Sequence, residues 1–388
     1  MKPHDIFHRF PKQFPLPMAL DGATGTALMR GGMPNGACPE DWVLKNPGVI
    51  QCIQREYYSA GSDAVLAPTF GGNRPSLARH GLHDCETRNA ALAVLTREVC
   101  GCGFIGGDMS PTGLFLRPYG DASLSDLAAV YAEQAKALEP YVDFFMSETN
   151  ISLAEARAAV MGIRSVSDKP VFVTLTVDKN GRTMSGDDMK CALLTLADIG
   201  VSAFGANCSV GPGDMLRTLV PLAPYAAGLG IPLIAKPNAG MPHDTPEGRV
   251  FDLDADGFGI FVPKFLRAGI YILGGCCGSD AEYIKRIRAA IDGFTPPESL
   301  EMFDSSHIIC NAKRSAVVDM QNLPEPVAAD EDLFEFDDDF ALVRVENAAD
   351  AEFLCENAAL LPFPLALTGD SAACSTVKRE YCGKLLVI

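Results

Sequence analysis

Between residues 18 and 294, short apolar runs alternate with longer amphipathic ones. The strand-like runs are 18–20, 64–67, 104–106, 142–146, 171–176, 203–206, 232–235 and 271–273. Helical patterns lie between them, among them 49–60, 86–99, 125–138, 153–165, 188–199 and 281–291. Eight strand–helix units in succession predict an α/β fold, a (β/α)8 TIM barrel. An open doubly wound sheet is the alternative. Its first βα turn would ideally carry a G-x-G-x-x-G fingerprint, and Asp21-Gly22-Ala23-Thr24-Gly25-Thr26 lacks that spacing.

The polar and glycine-rich residues are not scattered. Asp21-Gly22, Pro68-Thr69-Phe70-Gly71, Gly107-Asp108, Glu148-Thr149, Asn207-Cys208, Pro237-Asn238 and Gly274-Gly275-Cys276-Cys277-Gly278 each directly follow a strand candidate. In a barrel all of them converge on the C-terminal rim, where barrel enzymes keep their active sites.

The remainder of the chain has a different character. Residues 295–388 hold 18 acids and 6 bases, a net −12 out of −17 for the whole chain. Seven acids fall within 330–339, a pattern typical of a solvated linker. The expected organisation is a barrel over 1–294, an acidic linker over 295–339, and a small α/β extension or fragment of a second domain over 340–388. An acidic chain is a poor partner for nucleic acid, because phosphate binding needs surplus Lys and Arg. No stretch approaches the ~20 apolar residues that span a bilayer. Residues 1–14 lack the apolar core of a secretory signal. With 13 cysteines, an odd number, the expected location is a reducing cytoplasm.

Most of those cysteines read as small core hydrophobes: Cys38, Cys52, Cys85, Cys191, Cys310, Cys355, Cys374 and Cys382. Cys100 and Cys102 form a C-G-C that reads as a loop after a helix, with a redox pair as the alternative. Cys276 and Cys277 differ. Adjacent cysteines cannot pair with each other without ring strain. On a glycine-flanked loop beyond a strand end, both can turn toward one point. Cys208 ends another strand at the same rim. Three cysteine sulfurs meeting in a cleft is a zinc arrangement, with a fourth position left open for catalysis.

At these residues the sequence resembles the homocysteine S-methyltransferase family, especially the homocysteine-binding barrel of cobalamin-dependent methionine synthases. The stretches that carry the resemblance are DGATGT (21–26), GSDAVLAPTFGGNR (61–74), GGDMSPTG (106–113), SET (147–149), NGRTMSGDD (180–188), GANCSVGP (205–212), KPNAGMP (236–242) and GGCCG (274–278). The resemblance implies a TIM barrel in which Cys208, Cys276 and Cys277 bind zinc and act on the thiol of homocysteine to give methionine. It implies substrate contacts at Asp21, Gly22, Glu148, Asn207 and Asn238. Asp21 or Glu148 is expected to hold the substrate ammonium, with an internal loop-bracing salt bridge as the alternative. Backbone amides around Gly22 are expected at its carboxylate, and Asn238 is expected to offer zinc an oxygen before substrate arrives. Asp108 is expected to brace the rim, and His80, His83 and His243 to lie outside the ligand set.

The expected methyl donor is a methylcobalamin on a separate corrinoid protein. S-methylmethionine or betaine is the alternative donor. A non-catalytic thiol- or corrinoid-binding subunit is the competing class, and a redox enzyme using Cys276 and Cys277 ranks below it. Two residues depart from the family pattern: Asn150 stands where an aromatic residue is usual, and Ser110 where glycine is common. Residues 362–388 resemble in part a strand–helix–strand piece of a pterin-binding barrel, too short for a folate site. No D-x-H-x-x-G cobalamin motif occurs in the chain.

Overall fold

The structure is a computed structural model that describes residues 2–117, 120–245 and 248–388. Its centre is one eight-stranded parallel sheet, built from β1 (Met18–Ala19), β2 (Ala64–Leu66), β3 (Phe104–Met109), β4 (Phe144–Asn150), β5 (Val171–Leu175), β6 (Ala203–Asn207), β7 (Leu233–Lys236) and β10 (Ile270–Leu273). Strands β8 (Pro242–Thr245) and β9 (Gly248–Phe251) form an antiparallel hairpin after β7. The sheet order β1-β10-β7-β6-β5-β4-β3-β2 follows the chain around the ring, with helices between strands, so the fold is a (β/α)8 TIM barrel. The strand residues are almost all fully buried, as expected of a parallel sheet covered by helices.

Side chains help to close the ring between β1 and β2. The Ala19 amide donates to Asp63 Oδ2 at 2.7 Å, and the Asp63 amide donates to the Ala19 carbonyl at 2.8 Å. Farther along the seam, the Leu66 amide donates to Asp21 Oδ2 at 2.8 Å.

The N-terminal end of the barrel is plugged. Phe7, Phe10 and Phe14 come from the segment before β1, and each is 1% exposed. Phe14 meets Phe104 edge-on at 4.7 Å and Phe144 at 5.7 Å, while Phe10 stacks on Phe172 at 5.5 Å. Those partners begin β3 and β4 and stand second in β5, so the cluster sits at the bottom of the barrel. Such aromatic pairs add roughly 0.5–1.5 kcal/mol each beyond the area they bury.

Two strands run longer than the apolar runs suggest. β3 extends through Asp108 and β4 through Glu148 to Asn150, so these acids lie in the sheet rather than beyond it. Ladder pairing continues through both stretches, with Asp108 opposite Met146 and Asn150 opposite Leu175.

The C-terminal part contains a second, four-stranded parallel sheet. It runs β13 (Val327–Ala328), β14 (Ala341–Val345), β15 (Leu365–Gly369), β16 (Leu386–Val387), with crossover helices Ala348–Asn357 and Ser371–Glu380. A hairpin of β11 (Ile308–Cys310) and β12 (Ser315–Val317) covers part of it, through a cluster that includes Ile309, Val318, Leu342 and Ala366. The segment expected as a linker therefore contributes β11, β12 and β13. Within the acidic run, Leu333 is buried in the extension's own core, and the acids around it are largely exposed. The extension rests against the barrel's outer helices. Arg157 donates to the Lys378 carbonyl at 3.1 Å, and Lys378 pairs with Asp198 at 3.4 Å.

Candidate active site at the barrel mouth

Three thiols meet at the C-terminal rim. Cys208 directly follows β6, while Cys276 and Cys277 lie on the Gly274–Gly278 loop after β10. Their sulfurs all lie within 4.8 Å of one another, and Cys208 Sγ is 3.8 Å from Cys277 Sγ. All three are half-buried and unpaired by disulfides.

The backbone works to produce this meeting. Cys208 and the next residue, Ser209, have φ of 61° and 59°, two successive non-glycine residues in the left-handed region. Each costs roughly 1–3 kcal/mol, a strain that gathers at functional sites. On the other loop, the Cys276 amide donates to the Pro237 carbonyl at 2.9 Å, and the Cys277 carbonyl accepts from the Ala239 amide at 3.0 Å. Gly278 has φ 85°, and a Cβ there would fall 2.4 Å from the Phe251 ring. At Gly275 a Cβ would lie 2.1 Å from Ser279 Oγ. Two glycines are thus required by geometry for the loop to turn both sulfurs toward Cys208.

The thiols are electrostatically coupled. Hydrogen bonds from Cys276, then Cys277, pull the Cys208 thiol far below its ordinary value. The same bond to Cys208 pushes Cys276 well up and Cys277 up to about 11. The neighbouring thiols thus favour the thiolate form at Cys208. With zinc–sulfur bonds near 2.3 Å, a tetrahedral edge is about 3.8 Å, so the spacing and the donor type both suit zinc.

Below the thiols lies a charged layer. Lys236, the last residue of β7, is 2% exposed, and its Nζ lies 2.7 Å from Glu148 Oε2 and 3.6 Å from Asp21 Oδ1. Burial works against its charge, but Glu148, Asp21 and Asp108 outweigh that and hold the ammonium protonated. Burial raises the Asp21 carboxyl, with Lys236 opposing it. It raises Asp108 strongly, helped by Glu148.

The residues predicted from sequence therefore gather at one mouth, with clear differences between them. Asp21 and Glu148 are tied to Lys236, and Asp21 also helps close the seam. Both take part in the internal bracing that was the alternative to substrate contact. Gly22 lies against the cysteine loop and beneath the Tyr57 ring. Asn207 accepts from the Thr149 amide and the Thr174 hydroxyl, each at 2.8 Å, and its Nδ2 reaches Cys276 Sγ at 3.9 Å. It fixes Thr149 at φ 64°. Asn238 is 4% exposed, with its Oδ1 buried and unpartnered. Asn150 and Ser110 are both engaged by the barrel: Asn150 bonds Ser147 and the Thr174 carbonyl, and Ser110 accepts from Asn73. His80 and His83 are exposed, and His243 pairs with Asp252 at 3.4 Å. Lys236 was missed by sequence reasoning. Its signal was a lone cation directly after an apolar strand.

Exposed apolar side chains occur on loops at this end. Phe70 follows β2, Leu114 and Phe115 follow β3, Met184 follows β5 and Met241 follows β7. No helix among the described residues is long and apolar enough to cross a membrane.

A (β/α)8 barrel with three convergent thiols at its catalytic end is the class that fold and site define. Residues 18–291 match the profile of the homocysteine S-methyltransferase family, and the chain belongs to that family. Methionine synthase of Mycobacterium tuberculosis is 29% identical over 310 residues, covering 74% of this chain and 26% of that protein. Methionine synthase of Mycobacterium leprae is 30% identical over 305 residues, covering 72% and 25%. The chain thus spans about a quarter of the length of these relatives. The homocysteine methyltransferase MmuM of Escherichia coli shares the fold. Its oxidized form aligns with TM-score 0.60 at 20% identity, covering 74% of this chain and 99% of that one. Its metallated form aligns with TM-score 0.58.

Proposed function

We propose that this protein is a zinc-dependent methyltransferase that moves a methyl group to the thiol of homocysteine, giving methionine. The observation that carries the reading is the convergence of Cys208, Cys276 and Cys277 within 4.8 Å at the mouth of a barrel of this family. These three cysteines would hold the ion. Zinc, when bound, would take the substrate thiol as a thiolate and keep its sulfur nucleophilic at neutral pH. With an ion held by Cys208, Cys276 and Cys277, three thiolates on a dication would give the site a net −1, which would draw little charge from the substrate sulfur. The buried, unpartnered Asn238 Oδ1 is the candidate oxygen donor before substrate arrives.

The chain's own residues then bind and orient. Glu148 and Asp21, both held by Lys236, are candidate acceptors for the substrate ammonium. Backbone amides near Gly22 are assigned to its carboxylate. The C–S bond forms as the donor's bond to the methyl group breaks, its electron pair leaving with the donor. The proposed donor is a methylcorrinoid carried by a separate protein. Two observations support it: the methionine synthases that match, and exposed apolar side chains such as Phe115 (66%) and Met184 (81%) on the mouth loops. The free thiols fit a reducing cytoplasm.

The test is methionine formation by zinc-loaded protein, assayed with methylcobalamin, S-methylmethionine, betaine and methyltetrahydrofolate in turn. Turnover with methylcobalamin is expected. Turnover with betaine or S-methylmethionine alone would move the donor to a small molecule. Homocysteine binding without any turnover would favour the binding-subunit reading.

A further inference from the structure

The mouth holds more buried acid than its lysine balances. Three buried carboxyls, those of Asp21, Glu148 and Asp108, act on the buried ammonium of Lys236. Glu148 has that ammonium at 2.7 Å, and Asp21 has it at 3.6 Å together with the Leu66 amide. Asp108 is 7% exposed, and its buried Oδ1 has no hydrogen-bond partner. Its main chain is already fixed. The carbonyl accepts from the Thr69 hydroxyl at 2.8 Å, and the strand pairs Asp108 with Met146. An asparagine or serine would serve the strand equally well. Burial opposes the charge of Asp108, and so do Glu148, Asp21 and Glu40.

A buried acid that adds nothing to its strand and is repelled by its neighbours is explained by a cation that arrives later. We propose that Asp108 is a specificity residue whose carboxyl, together with that of Glu148, accepts the hydrogen bonds of the substrate's α-ammonium group. This rests on the homocysteine reading above and adds a residue to it. An ammonium brings three donors and no acceptor, which matches an acceptor-only surround. Lys236 already pairs with Glu148 and Asp21, whereas Asp108 Oδ1 has no hydrogen-bond partner and can accept from an incoming cation. An anion would be repelled by all three acids. A neutral donor would satisfy Oδ1 without relieving the crowded charge.

The experiment is calorimetric binding to the zinc-loaded chain of residues 1–388, wild type and D108N. The two probes are homocysteine and 4-mercaptobutanoate, which keeps the thiol and carboxylate and lacks the ammonium. A charge-assisted bond of this kind corresponds to roughly tenfold in affinity or more. D108N should therefore bind homocysteine at least about tenfold more weakly, while 4-mercaptobutanoate changes by less than about twofold. Equal losses for both probes, or no loss for either, would overturn the assignment. D108S provides the same comparison if D108N fails to fold. A wild type that does not bind homocysteine overturns the homocysteine reading and this proposal with it. A wild type that binds it, beside an unchanged D108N, overturns Asp108 alone.

Discussion

The two ends of this barrel are built on opposite principles. At the bottom, Phe7, Phe10 and Phe14 fill the ring with stacked and edge-on aromatics. At the mouth, the chain accepts strain and unmet hydrogen bonds. Thr149, Cys208 and Ser209, the non-glycine residues with positive φ among the described residues, all lie there. So do two buried oxygens without a hydrogen-bond partner, Asp108 Oδ1 and Asn238 Oδ1. One end holds the fold together, and the other uses some of that stability to present reactive groups.

The contrast breaks most sharply at the cysteines. Replacing Cys277 with Ala should abolish methyl transfer, by at least about 10³-fold, while thermal unfolding moves only a few degrees. Elemental analysis of the variant should show less bound zinc. Retained turnover would remove Cys277 from the ligand set. At the opposite end, Phe14→Ala should destabilise the protein by about 3–5 kcal/mol through a cavity at the plug. Its urea midpoint should fall, with the KM for homocysteine unchanged in the folded protein. A raised KM there would mean that the two ends are coupled.

Lys236→Met tests a mouth residue that also stabilises. Removing one partner of a buried pair costs about 3–5 kcal/mol because the other charges are left uncompensated. This variant should lose stability and homocysteine affinity together, unlike either previous one. Equilibrium denaturation beside calorimetric binding checks it.

The smallest expected effect concerns pH. The Asp108 carboxyl is raised in the fold, so its contribution to stability is fully present below the ordinary carboxyl value, near 3.8. It is lost as pH rises through the elevated folded value. D108N lacks this titration. Its urea midpoint should therefore gain on the wild type between pH 4 and pH 8. A gap that stays constant across that range would contradict the buried, crowded setting of Asp108.

How much of this was legible in sequence follows from the range of each interaction. The eight strands could be read because alternation is local, and the cysteine loop because its glycines sit beside it. Lys236 could not be given a role, because its partner Glu148 lies 88 residues away and only the closed ring brings them together. The same distance problem left Asp21 and Glu148 open between substrate contact and an internal salt bridge, and hid the lysine that braces them. Leu333 was masked by the acids around it, since one apolar residue sets no period. Hairpin β8–β9 was missed because Pro242, His243 and Asp244 carry no strand signal.

The central claim is that three cysteine sulfurs hold a zinc ion and leave one position for the sulfur of homocysteine. Zinc-edge X-ray absorption on the zinc-loaded chain tests it directly, with and without homocysteine. The account predicts three sulfur ligands and one lighter donor in the free protein, changing to four sulfurs when homocysteine is added. Fewer than three sulfurs at the start, or no added sulfur on binding, would contradict it.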